Sequence, residues 1–328
     1  MGKQTVLLLG ATGSTGGSIL EGLLSAGHYD IQILVRPSSV TKDSVKKLVE
    51  RGIKVRVSDL DASESNLASV LTGIDTFISA IGPRSLLQQK TLVRAAKTAG
   101  VKRFIPCAWI TIAPPKGVML LRDEKEEIYN EIKLLSLPYT IIDVGFWYQF
   151  SFPPVPSGRV DYALSFSDTT IHAGGNAPNL LTDLRDIGRF VARIISDDRT
   201  LNRYVYTYGD VLSENEVFGI VEEVSREEVQ RVYESASEIE NKVHDAVSYL
   251  AENPTDPISA LNAWIAQYPY SKYVRQDNQP RFAKYLGYLD ARELYPDFKP
   301  VSFREYFEEV LAGKAGRVVL AEEMPSHH

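Results

Sequence analysis

Gln4-Thr-Val-Leu-Leu-Leu9 followed by Gly10-Ala-Thr-Gly13-Ser-Thr-Gly16-Gly17 is the stretch that decides the fold. A short apolar run without polar alternation suits a strand buried on both faces, as in a parallel sheet covered by helices. Gly10 ends the run, and a helix is expected over 14–26. In the G-x-x-G-x-x-G string the first glycine permits the tight turn and the middle one lets backbone N–H groups approach a pyrophosphate. The last lets the helix pack close to the strand. A turn of purely structural use is the alternative, but strand, spacing and helix together favour dinucleotide binding. The candidate cofactor contacts are Gly10, Thr12, Gly13, Ser14, Thr15 and Gly16.

Outward from this turn the pattern repeats. Strands are expected over 31–35, 53–57, 74–79, 101–105 and 139–143, and helices over 41–51, 62–71, 85–99 and 118–135. Such alternation predicts an α/β fold, a Rossmann-type doubly wound parallel sheet with ligands at the carboxyl ends of its strands. After Asp143 the rhythm breaks at Gly145-Phe-Trp-Tyr-Gln-Phe-Ser-Phe152, and Pro153-Pro-Val-Pro-Ser-Gly158 fits neither helix nor central strand. This places an NADP-binding Rossmann domain at 1–150 and a smaller, mostly helical substrate-binding lobe at 151–328. A hairpin over 160–166 and 170–172, a helix over 184–195 and a strand over 204–208 are expected in the second part. The stretch 184–208 is a candidate to rejoin the first sheet.

Composition narrows the partners. With 42 acidic and 36 basic residues the net charge is −6, so no global positive field draws in nucleic acid or anionic lipid. No apolar run approaches the roughly 20 residues of a membrane span. One cysteine in 328 residues and no Cys/His ligand spacing argue against disulfides and metal, and favour a cytoplasmic protein. His327 and His328 read as a tail. A small-molecule partner and a monomer or homodimer are the expectation.

Cofactor choice is set at the end of the second strand, where an acidic residue would favour NAD. Here the strand ends Leu34-Val35-Arg36-Pro37-Ser38-Ser39, and a guanidinium with neighbouring hydroxyls suits a 2′-phosphate. NADPH is the expected cofactor, with Lys46 as a further candidate contact beside the alternative of a solvated helix face.

Gly10-Ala-Thr-Gly-Ser-Thr-Gly16, Leu34-Val-Arg-Pro37, Ile78-Ser-Ala-Ile-Gly82, Ala99-Gly-Val-Lys-Arg-Phe-Ile-Pro106, Leu137-Pro-Tyr-Thr140 and Leu294-Tyr-Pro-Asp297 resemble the isoflavone-reductase-like, NmrA-like branch of atypical short-chain dehydrogenases over nearly the whole chain. The resemblance implies an NADPH-dependent oxidoreductase acting on phenolic, phenylpropanoid- or polyketide-like secondary metabolites. It also admits a non-catalytic NADP(H)-sensing regulator that binds a protein partner, or an NADP-scaffolded isomerase or cyclase. The family's catalytic lysine, thirteen positions before the proline of Leu-Pro-Tyr-Thr, falls on Lys125. Tyr129 and Lys133 offer a competing Tyr-x-x-x-Lys spacing. Helical periodicity puts Lys125 beside the apolar face of Leu121, Ile128 and Ile132 and Lys133 next to the polar face. A role for Tyr129 or Lys133 stays open.

Where relatives carry Pro-Ser-Glu-Phe-Gly, this chain has Pro106-Cys107-Ala108-Trp109-Ile110-Thr111, so the hydroxyl that would polarise a carbonyl is absent unless Thr111 substitutes. Cys107 is expected as a buried small residue. The aromatic run after the sixth strand supplies Phe146, Trp147 and Tyr148, which with Trp109 are candidate walls for a flat ring system, with core packing as the alternative. His172, on the expected hairpin, is a candidate proton donor.

Overall fold

The computed structural model describes residues 2–256 and 258–318. His327 and His328 lie outside these residues. The first part runs β1 (Gln4–Leu9), α1 (Ser14–Ala26), β2 (Tyr29–Val35), α2 (Asp43–Glu50), β3 (Lys54–Val57), α3 (Glu64–Leu71), β4 (Thr76–Ser79), α4 (Gln89–Thr98), β5 (Arg103–Ile105), α5 (Leu120–Leu134) and β6 (Thr140–Asp143). The helix expected over 85–99 is shorter: Pro83 opens a 3-10 turn through Gln88, and the α-helix begins at Gln89.

Parallel pairing gives the order β3-β2-β1-β4-β5, and a bridge between Phe104 and Tyr139 brings β6 alongside. The chain reverses direction of travel between β1 and β4, the topological switch point of a doubly wound sheet. Strand β1 shows why its sequence has no polar alternation. Val6 and Leu8 enter one buried layer with Ile19 and Leu23 of α1, while Leu7 and Leu9 enter the other with Leu67, Leu71 and Ile128.

The remainder comprises β7 (Phe146–Trp147), β8 (Thr170–His172), β9 (Asn179–Thr182), α6 (Leu184–Ile194), β10 (Arg203–Tyr206), β11 (Asp210–Leu212), α7 (Glu214–Ser225), β12 (Val232–Glu234), α8 (Ala236–Glu252), α9 (Ser259–Pro269), α10 (Pro280–Tyr285), β13 (Leu289–Asp290), α11 (Ala291–Leu294) and α12 (Phe303–Leu311). Strand β10 pairs in parallel with β6, and β13 with β10. Strand β9 pairs with β7 and β11. The hairpin expected over 160–166 and 170–172 does not form. Residues 158–164 turn back on themselves, Val160, Ala163 and Leu164 sink into a core with α7 and α12, and β8 pairs in parallel with β12 instead.

Two contacts position the site. Helix α6 packs on α1 through glycines: a Cβ at Gly22 would overlap the Gly188 carbonyl, and one at Gly188 would overlap the Ser18 carbonyl. Ser18 Oγ closes the contact, donating to Leu184 O at 2.5 Å and accepting from Gly188 N at 3.0 Å. Across the sheet, Arg122 of α5 is 1% exposed. Its Nη1 donates to Asp143 Oδ2 at 2.7 Å, its Nη2 to Tyr288 Oη at 2.8 Å and its Nε to Glu126 Oε1 at 2.9 Å. Tyr288 Oη donates in turn to Asp143 Oδ2 at 2.6 Å. Burial pulls the Arg122 pKa down, but Asp143, Tyr288, Tyr129 and Glu126 outweigh it and hold the guanidinium charged.

Gly188→Ala should destabilise the protein by about 3 kcal/mol or more in chemical denaturation, since two backbones must separate to admit the methyl group. Arg122→Met should cost about 3–5 kcal/mol by leaving Asp143 buried without its partner. Adding Asp143→Asn should recover part of that loss. An unchanged denaturation midpoint in Arg122→Met would show that the pair is not desolvated in solution.

Candidate active site

The glycine turn is shaped for a ligand at the end of β1. Gly10 has φ +89°, and a Cβ there would overlap the Ala80 carbonyl at the end of β4. A Cβ at Gly16 would overlap the Gly10 carbonyl, so these two glycines are required by the chain's own packing. Gly13 differs: its added Cβ would meet only Gly10 O, at 3.5 Å, an ordinary contact. What its missing side chain leaves clear is the outer approach to the α1 N-terminus. That terminus has no side-chain cap and no acidic residue in its first turn, so the N–H groups there are available to an anion. The residues present thus fit a pyrophosphate. Thr12 is exposed, and Ser14 and Thr15 are half-buried.

Arg36 follows β2 directly and is exposed, two residues beyond the point where Leu34 pairs with Leu9. The register carries it level with the glycine turn. Lys46 stands on α2 and pairs with Asp43 at 3.3 Å, so its charge is directed along its own helix.

Lys125 lies on α5 just past the carboxyl end of β5 and is 4% exposed. Its Nζ donates to Cys107 O at 2.8 Å and lies 3.9 Å from Cys107 Sγ. Burial holds its pKa below the ordinary lysine value, against opposing contributions from Cys107 and Asp143. The loop carrying Cys107 is fixed by Gln89 Oε1, which accepts from Cys107 N at 2.8 Å, and Cys107 Sγ donates to Ile81 O at 3.2 Å. Ala80 N bonds Leu9 O at 2.9 Å. A continuous set of contacts therefore runs from Lys125 to the glycine turn. Lys133 points elsewhere, exposed and donating to Tyr204 Oη at 2.9 Å. Tyr129 is buried and its hydroxyl has no partner among the described residues; Thr111 Oγ1 is likewise buried and unpartnered.

The aromatic candidates separate. Phe146 and Trp147 are half-buried at the end of β6, with Trp147 stacked on Phe150 at 5.1 Å and Phe146 at 6.1 Å from Tyr268. Tyr148 belongs to a different core from Trp147 and is not available as a wall for a ligand. It is fully buried against Phe303 and Tyr306, with its hydroxyl donating to Asp210 Oδ2 at 2.6 Å. Trp147 packs on the layer of Cys107 and Trp109, whereas Phe146 also touches the core of Tyr148, Phe303 and Tyr306 and so lies between the two. Trp109 is a buried packing residue whose Nε1 donates to Ser79 O at 2.8 Å, held at φ +48°. His172 is not a free proton donor. Its Nδ1 meets Glu214 Oε1 at 2.8 Å, its Nε2 lies 3.6 Å from Glu234 Oε2, and its ring stacks on Tyr273 at 4.8 Å.

Helix α9 and the π-helical turn Tyr270–Val274 that follows it fall within the expected mostly helical lobe, but none of their residues is among the site candidates read from the sequence. Gln267 Oε1 accepts from Leu120 N at 2.8 Å, fastening α9 to the start of α5. Trp264 and Tyr268 pack against the layer that holds Cys107, Trp109 and Val144. Lys272 is 4% exposed, with Nζ 3.4 Å from the centre of the Phe146 ring and 4.6 Å from that of Tyr273. Burial pushes its pKa down to about 7, and Glu214 only partly opposes this. The available signal was the spacing of Trp264, Tyr268 and Lys272 at every fourth residue, although the third lies in the π turn beyond α9.

The family model described as "NmrA-like family" matches residues 2–307. The chain is 42% identical over 318 residues to the asnovolin J 5′,6′-dehydrogenase of Aspergillus novofumigatus (strain IBT 16806), covering 96% of this chain and 97% of that protein. It is 29% identical over 325 residues to eugenol synthase 1 of Petunia hybrida, covering 93% and 97%. Its fold matches the binary complex of leucoanthocyanidin reductase and NADPH from Vitis vinifera with a TM-score of 0.77 at 22% identity, over 94% and 99% of the two chains. Matched from β1 to α12 by one family model and by full-length relatives, the chain belongs to the NmrA-like family of Rossmann-fold proteins.

Proposed function

We propose that the protein is an NADPH-dependent oxidoreductase of an aromatic, phenolic or polyketide-like secondary metabolite, with Lys125 moving the proton. The observation that carries this reading is the buried Lys125 ammonium on Cys107 O, in contact through Ile81 and Ala80 with the glycine turn. NADPH, when bound, supplies or accepts the hydride. Gly10, Thr12, Gly13, Ser14, Thr15 and Gly16 hold its pyrophosphate at the α1 N-terminus, and Arg36 pairs with its 2′-phosphate. The boundary between the two lobes falls near residue 150, with α6 and β10 assigned to the first because they complete its helical layer and sheet.

A lysine with a lowered pKa is neutral more of the time near neutral pH and takes a proton from a phenol or enol; once charged it stabilises the oxyanion that forms. Phe146 and Trp147 give the ring system an apolar wall. The relative at 42% identity is named for a dehydrogenation, and the eugenol synthase for a synthesis. Proton movement by Lys125 serves hydride transfer in either direction, so the reading does not depend on which one prevails.

Lys125→Ala should leave NADPH affinity within about twofold in calorimetry while lowering turnover by roughly a hundred- to ten-thousand-fold, followed by nicotinamide absorbance with asnovolin J, for which the 42% identical relative is named, as the first substrate tried. Full activity in that variant would remove Lys125 from the chemistry. NADPH should bind more tightly than NADH, and Arg36→Met should weaken NADPH by about ten- to a hundredfold while leaving NADH unchanged. Equal affinity of the wild-type protein for both cofactors would defeat the 2′-phosphate assignment.

A further inference from the structure

Lys272 is a buried cation that the proposed chemistry does not use. No carboxylate forms an ion pair with it among the described residues, and Glu214 only partly opposes the effect of its burial. Its ammonium rests against the Phe146 and Tyr273 rings. Cation–π attraction offsets only part of the desolvation of a buried ammonium. The side chain is not there by laxity of the chain. Pro269 lacks the N–H that would continue the α-helical ladder, and the helix widens into a π turn, with Arg275 N bonding Tyr270 O at 2.9 Å.

That turn is then pinned on several sides. Ser271 Oγ donates to Asp277 Oδ2 at 2.9 Å and Asn278 Nδ2 donates to Leu180 O at 3.0 Å. Asn278 Oδ1 accepts from Ile112 N at 3.2 Å, tying the turn to the segment after β5.

Two further donors share the stripe. Trp264 Nε1 is buried with no hydrogen-bond partner among the described residues, and an indole N–H can only donate. Burial raises the pKa of Tyr268, so its hydroxyl keeps its proton. Tyr268 packs against the layer that contains Cys107, whose carbonyl accepts from Lys125. The chain thus presents an indole N–H and a phenol from α9, packed on the layer of Cys107, and an ammonium from the π turn, on the half-buried Phe146. All three can donate, and the ammonium adds a positive charge.

We propose that Trp264, Tyr268 and Lys272 form a second polar end of the substrate cleft that binds an anionic oxygen of the substrate, with Lys272 as its ion-pair partner. A carboxylate and an acidic enol present the same chemistry. Lys272 is a specificity-determining residue, distinct from Lys125, which moves the proton of the reacting phenol or enol. The assignment rests on the reading of this sheet edge as the substrate site.

Calorimetric titration of the full chain, with and without NADP+, with two pairs of probes tests it: 2-naphthoate against methyl 2-naphthoate, and 1,3-indandione against 1-indanone. At least one anion should bind roughly tenfold or more tightly than its neutral partner. Lys272→Met should remove that preference and leave the neutral probe and NADP+ binding unchanged, and Lys272→Arg should retain part of it. Which pair shows the preference identifies carboxylate or enol. Anions binding no better than their neutral partners, no binding by any probe, or an unaltered preference in Lys272→Met would each overturn the proposal. NADP+ affinity, read in separate titrations, reports independently on the oxidoreductase reading. A lower thermal midpoint in Lys272→Met with the preference intact would show a packing role alone.

Discussion

The buried pair between Arg122 and Asp143 fixes the rest of the site. Asp143 is the last residue of β6, at the sheet edge where ligands bind, and Arg122 stands one turn before Lys125 on α5. Joining these two residues sets the rotation of α5 about its axis. Once Arg122 points to β6, helical geometry carries residue 125 round to the β5 side, where it meets Cys107 O. Tyr288 extends the clamp to the segment leading into β13, so the far edge of the sheet is held by the same carboxylate. A buried ion pair contributes little net stability compared with apolar packing, and its usefulness here lies in orientation.

Much of this was legible from local pattern. The glycine spacing, the apolar strands and the glycine stops each depend on a few neighbouring residues, and period-two burial in β1 follows directly from them. The inward setting of Lys125 was also readable, because α5 has a clear apolar face. Other features depend on pairing across long sequence distances. Nothing local tells Thr170–His172 that its partner is Val232–Glu234, nor tells Tyr148 that Asp210 will receive its hydroxyl. The aromatic run after β6 was conspicuous as composition, yet its division between the layer of Trp109 and the core of Phe303 is decided by elements far along the chain. Likewise nothing adjacent in sequence gives Arg122 its buried destination on Asp143 and Tyr288.

The two buried lysines show how environment separates chemically identical groups. Lys125 has a carbonyl acceptor at hydrogen-bond distance, and nearby Asp143 favours its charged form while Arg122 opposes it. Its largest perturbation is desolvation, moderated by these opposing charges. Lys272 has aromatic faces in place of an oxygen acceptor, and Glu214 favours its charge without forming an ion pair. An anion arriving beside it would therefore repay much of its desolvation, whereas an anion at Lys125 would compete with a carbonyl already bonded.

This difference also gives a direction to the cleft. The group with an internal acceptor is held ready in one geometry, as proton movement at a defined atom requires. The group without one is the better sensor of what enters, because its electrostatic state depends on the occupant. Placing the first on α5, clamped by Arg122, and the second on a π turn fastened to β9 and the segment after β5 separates positioning of the reacting atom from recognition of the remote end. Interactions with the remote end can then help orient the reacting centre, provided both lysines are held by the scaffold and not by the ligand.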